Sequence, residues 1–190
     1  MSYEAFRAAV SDPALLAVAQ HWDAARAGRS MPAWRDIDPA AIRQHLAIVW
    51  AWRWDDALGT FVGRLAGEEI VAVLGRNIHG RRLDECFRPE AHGAVFARYK
   101  RVVAEPALMH SHGKVHRAFG GLGQGERIVL PLAADGVHGD GIFGATTYRL
   151  GIRPTSGETF AIDHLGETVE FYSLGSRIDN SISSANGTDR

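Results

Sequence analysis

Phe61 to Phe87, FVGRLAGEEIVAVLGRNIHGRRLDECF, is the stretch on which the reading of the whole chain turns. Phe61, Gly63 and Leu65 alternate with Val62, Arg64 and Ala66, the period of a β-strand, whose successive side chains face opposite ways. Gly67 breaks the run. Ile70, Val71, Val73 and Leu74 continue at helical spacing, Glu68 and Glu69 lie in the first turn where carboxylates complement exposed N–H groups, and Gly75 stops the helix after two turns. Arg76 to Asp84 is basic and glycine-containing, a connection expected to lie across the mouth of a pocket.

Upstream, Asp55, Asp56 and Gly59 make a hairpin turn from a strand at Ala47 to Asp55, in which Ile48, Trp50, Trp52 and Trp54 share one parity. Such an aromatic stripe needs a cover. A nucleic-acid stacking platform is disfavoured by the formal net charge of −1, because binders of that kind depend on basic charge. The N-terminal helix supplies a cover: Asp12 is its N-cap, Pro13 its first residue and Gly28 follows its end, so it runs from Pro13 to Ala27 with Leu15, Val18, Ala19, Trp22 and Ala25 on one face. Periodicity leaves open whether that face packs on its own sheet or on a second copy. Asp38 and Pro39 then cap a short helix through Leu46.

An aromatic strand, Arg64 to Ile70 as Arg-Leu-Ala-Gly-Glu-Glu-Ile, Leu74-Gly75-Arg76, and Gly80 to Glu85 as Gly-Arg-Arg-Leu-Asp-Glu together resemble the centre of a PAS domain, in particular a compact bacterial PAS family carried mostly by stand-alone proteins. Trp22, Arg26 to Arg29, Pro32 and Asp36 to Pro39 resemble that family's opening motifs, and the likeness extends to about Leu150. It implies an α+β fold, a PAS-like five-stranded antiparallel sheet with helices on one face, plus an N-terminal helix. Sensing and partner binding are implied as the role, with no family catalytic residues to transfer.

Downstream, Pro89 begins a helix in which Val95, Phe96, Tyr99, Val102 and Val103 form a stripe, ended by Glu105 and Pro106. Strands are expected at Ala107 to Phe119, Glu126 to Ala134 and Gly141 to Leu150. The intervening GGLGQG precedes no helix, so it reads as a turn and not a phosphate loop. Phe160 to Leu174 adds a strand or packs back on the sheet, and the polar last fifteen residues are expected to be disordered. The expected organisation is an N-terminal helical segment at 1–46, a PAS-like domain at 47–151, an extension at 152–174 and a tail at 175–190.

A mainly apolar pocket is expected between the sheet and the Pro89 to Glu105 helix, approached by Leu65, Ile70, Leu74, Phe96, Tyr99, Val115 and Leu130. Arg64 and Arg82 are candidate anchors for an anionic ligand, against the alternative of solvated surface charges. A homodimer is expected through Leu15, Val18 and Trp22 of the helix and the sheet face bearing Trp50 and Trp52. A separate signalling protein is the expected recipient of the output.

His110, His112, His116 and Lys114 share one strand parity, opposite Met109, Val115 and Phe119, which reads as a solvent or partner face and assigns no metal. Haem-binding PAS domains use a histidine on the pocket helix, and only His92 lies near that place, so no cofactor is assigned. With 190 residues, 46% of them hydrophobic, a lone Cys86 and no apolar run of membrane-spanning length, the chain reads as one cytoplasmic globular domain with end segments, in an environment that calls for no disulfide. Neither a nucleophile elbow nor a paired-histidine metalloprotease motif is present. The competing class is a small metabolite-binding enzyme of isomerase or cyclase type, which a perturbed acid such as Asp84 or Glu85 in an apolar pocket would support.

Overall fold

The computed structural model describes residues 3–117, 122–150, 160–162 and 166–174. Helices α1 (Tyr3–Ala9) and α2 (Pro13–Arg26) lead into strands β1 (Val49–Asp55) and β2 (Thr60–Ala66), helices α3 (Glu68–Leu74), α4 (Leu83–Cys86) and α5 (Pro89–Ala104), then strands β3 (Ala107–Arg117), β4 (Leu122–Leu132), β5 (Gly141–Leu150), β6 (Phe160–Ile162) and β7 (Thr168–Ser173). The sheet is antiparallel in the order β2-β1-β5-β4-β3. The expected five strands form its body. β6 pairs with Val115–Arg117 and β7 with Ala107–His112, so the far edge of β3 is lined along most of its length by short strands, which blunts an edge open to further pairing.

Local signals act where they stand. The Asp12 carboxylate accepts the Ala14 N–H, Pro13 opens α2, and Ala27 at φ 47° ends it one residue before Gly28. Gly75 closes α3 at φ 68°. The segment expected as a helix from Asp38 to Leu46 is instead a turn followed by a 3-10 stretch, Arg43–Ile48. A tight coil of that kind serves where few residues must redirect the chain, here into β1.

Helices α3 to α5 lie on one face of the sheet, as expected, and the N-terminal helices α1 and α2 cover the other. On the outer face, Phe6, Leu15, Val18 and Trp22 of α1 and α2 pack on Val49, Ala51, Leu108, Ile128, Leu130, Phe143 and Ala145. On the inner face, Ile70, Ile78, Leu83, Val95, Tyr99 and Val102 pack on Trp50, Trp52, Phe61, Met109, Val129 and Ile142. Strands apolar on both parities require this arrangement, since either face left open would be a large exposed apolar patch. The α1–α2 joint is fastened to the sheet by Ser11, whose N–H and Oγ–H both donate to the Glu126 carboxylate at 2.6 Å.

The basic connection after α3 runs along the outer edge of β2, and its Ile78 lines the inner-face cavity. Val62 pairs with Arg82 and Gly63 with His79, Gly63 donates to the Arg81 carbonyl, and the Gly80 N–H returns to Gly63. Ile78 is thereby driven into the inner core, 0% exposed. The close approach needs a glycine, because a Cβ on Gly63 would overlap the Ile78 carbonyl oxygen. Gly63→Ala is expected to cost about 1–3 kcal/mol in urea unfolding, the usual range for overpacking against backbone. An unchanged midpoint would mean that this loop is not held on β2.

Candidate functional site

The inner face holds a small cavity of about 20 Å³ lined by Trp50, Trp52, Ile70, Leu74, Ile78, Phe87, Tyr99, Arg127, Thr146 and Tyr148. Its apolar wall is aromatic: Trp50 stacks on Tyr99 at 5.4 Å between ring centroids, and Phe61 meets Tyr99 edge-on at 6.0 Å. Room for about one water remains between the rings. Leu74 and Phe87 at its edge are only partly buried.

One end of the cavity is charged. Arg127 sits in β4 between Glu126 and Ile128, its Nη1 donating to Glu167 Oε1 at 2.9 Å and its Nε to Thr146 Oγ1 at 3.2 Å. Arg98 of α5 donates to the other oxygen of Glu167 at 2.6 Å. The Glu167 and Arg127 side chains are 6% and 7% exposed. Burial alone would pull the Arg127 guanidinium down, yet the Glu167 carboxylate more than reverses this and holds it above its ordinary value. Burial raises the Tyr99 and Tyr148 phenols, so both stay protonated; Arg127 partly opposes the shift at Tyr148. Gly113 in mid-strand lets Glu167 reach this point, since a Cβ there would stand 3.0 Å from Glu167 Cγ.

Thr146 Oγ1 also accepts the Trp50 indole N–H at 2.9 Å. A hydroxyl has two lone pairs and one proton, so with both lone pairs engaged Thr146 presents a donor. The polar end of the cavity is therefore rich in donors, which suits a carbonyl or carboxylate oxygen.

Of the residues expected to form the pocket, Ile70, Leu74 and Tyr99 line it. Phe96 packs one layer away, against Trp54 and Phe61. Leu130 is fully buried on the opposite face, beneath α1 and α2, because it has the parity of Ile128 and not of Val129. Leu65 is 37% exposed on β2. Val115 lies in β3, and its side chain is outside the described residues. Arg64 and Arg82 are exposed, the first near the Trp34 ring and the second paired with Asp84 at 2.8 Å, and neither lines the cavity.

The dimer surface expected from sequence is used up inside the chain. Leu15, Val18 and Trp22 are each 0% exposed on the chain's own sheet. Trp50 and Trp52 belong to the other face, under α5, so the helix stripe and the indoles never meet. His110 is also placed differently: it is 3% exposed and bonded through Nε2 to Glu126 at 2.9 Å, not part of a solvent face, while His112 is exposed. Asp84 and Glu85 are exposed on α4, and the hydrogen bond from Arg82 lowers the Asp84 carboxyl, the reverse of a raised catalytic acid. The His116 and Phe119 side chains, the 175–190 tail and much of the 152–174 extension are outside the described residues.

Sequence reading passed over Ile78, Phe87, Arg127, Thr146 and Tyr148, and with them Arg98 and Glu167. A usable signal existed for one of them: Arg127 opens the otherwise apolar run Ile128 to Leu132, and an arginine among core residues needs a buried partner. No pattern joins it to Glu167, forty positions away.

A family model described as a PAS domain matches residues 10–147, well over half of the chain. No curated protein and no solved structure shows significant similarity to it. The match takes in α2, the body of the antiparallel sheet and the inner-face cavity apart from Tyr148, and on that ground the chain belongs to the PAS domain family.

Proposed function

We propose that the protein is a sensory or regulatory module that holds a small planar ligand carrying a carbonyl or carboxylate oxygen between its sheet and helices α3 to α5. The observation that carries this reading is the inner cavity, aromatic along its walls and donor-rich at the Arg127, Thr146 and Tyr148 end. Sites of this kind bind through shape and a few convergent polar groups. Entry requires α3 to move outward, and the partial exposure of Leu74 and Phe87 marks the side that opens. Such a displacement alters the outer surface of α3 and the adjoining loop, and that change is what a signalling partner would read. The enzyme alternative draws less support, since the acids offered for it lie outside the cavity.

Native mass spectrometry of the protein purified without denaturant tests the proposal. The wild type is expected to carry a bound small molecule. Tyr99→Trp, which fills the space beside Trp50, is expected to lose at least about ten-fold in occupancy, the equivalent of roughly 1.4 kcal/mol. A bare wild-type protein, or a folded variant with unchanged occupancy, overturns the site.

A further inference from the structure

The roomier cavity is on the other side of the sheet, where nothing above places a function. It measures about 310 Å³ and is lined chiefly by Ser11, His110, His112, Gln124, Glu126 and Thr147. That volume is at the lower end of the range for small-molecule sites.

Its polar lining is built around one carboxylate. Burial pushes the Glu126 carboxyl up, but the bonds from Ser11 and His110 outweigh it, and the group is held below its ordinary value. Glu126 is therefore ionised and only accepts. It follows that His110 Nε2 carries the proton of the bond between them. His110 Nδ1 is buried without a hydrogen-bond partner and stands 3.9 Å from a Glu170 carboxylate oxygen. Thr147 Oγ1, also buried, has no partner either. Two carboxylates, Glu126 and Glu170, stand at this place, and no lysine or arginine is among the described residues that line the cavity.

We infer that this outer-face cavity is a second ligand site, for a small molecule bearing a primary ammonium group, held by Glu126 and Thr147. An ammonium offers three N–H donors to the Glu126 carboxylate and the Thr147 hydroxyl, and a positive charge that no lysine or arginine among the described lining residues supplies. Ser11 belongs to the α1–α2 joint and shares Glu126 with the ligand, so occupation bears directly on how these helices are seated. The site goes beyond the sensory reading of the inner cavity and does not depend on it.

The test is a titration of the labelled protein with n-propylammonium, followed by the His110 ring nitrogens and the backbone amides in heteronuclear NMR. Saturable shifts are expected at Ser11, His110 and Thr147. Glu126→Gln is expected to weaken binding by at least about ten-fold and Thr147→Val by about three- to ten-fold, as the loss of a charged and of a neutral hydrogen bond respectively. Thr147→Val keeps nearly the same shape, so it decides the matter even where Glu126→Gln fails to fold. Lys114 and Arg149 stand across from Gln124 in the sheet, which makes propionate the informative control. The inference is overturned by shifts that do not saturate, by propionate producing the same shifts, or by zinc binding at His110 and His112 more tightly than the amine.

Discussion

Trp22→Ala is expected to lower the unfolding free energy by about 3–5 kcal/mol, the range for removing a fully buried large aromatic side chain. The indole is 0% exposed between α2 and the sheet, and its Nε1–H donates to the Pro131 carbonyl at 2.9 Å. Its removal opens a void that the rigid strands beneath cannot collapse to fill. For a domain whose whole stability is about 5–15 kcal/mol, a loss of this size is a large fraction of the total. Trp22→Phe keeps most of the volume and loses the hydrogen bond, so about 1–2 kcal/mol is expected. Urea unfolding of the three proteins at two concentrations is the measurement. A midpoint that falls equally at both concentrations places the cost inside the subunit, as burial requires. A loss below about 1 kcal/mol contradicts the seat of Trp22 in the core.

Glu167→Gln is expected to cost a similar amount, about 3–5 kcal/mol, because it leaves two arginines facing a neutral amide in a buried setting. The Arg98 side chain is 17% exposed and that of Arg127 7% exposed, so little of their charge is recovered by water. Arg127→Met removes one of the charges and fills part of the space with methylene. In the double substitution, Arg127→Met with Glu167→Gln, the sum of the single losses is expected to overshoot the measured one, since the pair acts as a unit. Strict additivity means that the 2.9 Å contact carries no coupling energy. Tyr148 reports on the same change: with the neighbouring charges altered, its phenol titration moves.

The residues around Phe61 to Phe87 show how far local chemistry reaches. β2, the two-turn α3 and its stop at Gly75 follow from alternation, an acidic first turn and a left-handed glycine, all interactions between neighbours in the chain. The same holds for α2 with its Asp12 cap and for α5 between Pro89 and Glu105. Motif order across these elements was also enough for the family, because a pattern of short segments survives without any knowledge of contacts.

What the sequence by itself determined, then, is the kind and order of the elements, the α+β class and the PAS resemblance. Which side of each strand faces which helix was decided by the tertiary structure. In β1, Val49 and Ala51 alternate with Trp50 and Trp52, and in β4 Ile128 and Leu130 alternate with Val129; both parities are apolar, so periodicity separates the two faces but does not say which helix covers each. Trp50 and Trp52 thus went to the cavity and Leu130 went beneath α1 and α2. The charged end of the cavity was beyond sequence for a related reason. Arg98, Arg127 and Glu167 come from a helix, a strand and the residues just before β7, and Gly113 leaves the room over β3 in which Glu167 stands. Burial in common is what turns three separate charges into one site, and burial is a property of the folded chain.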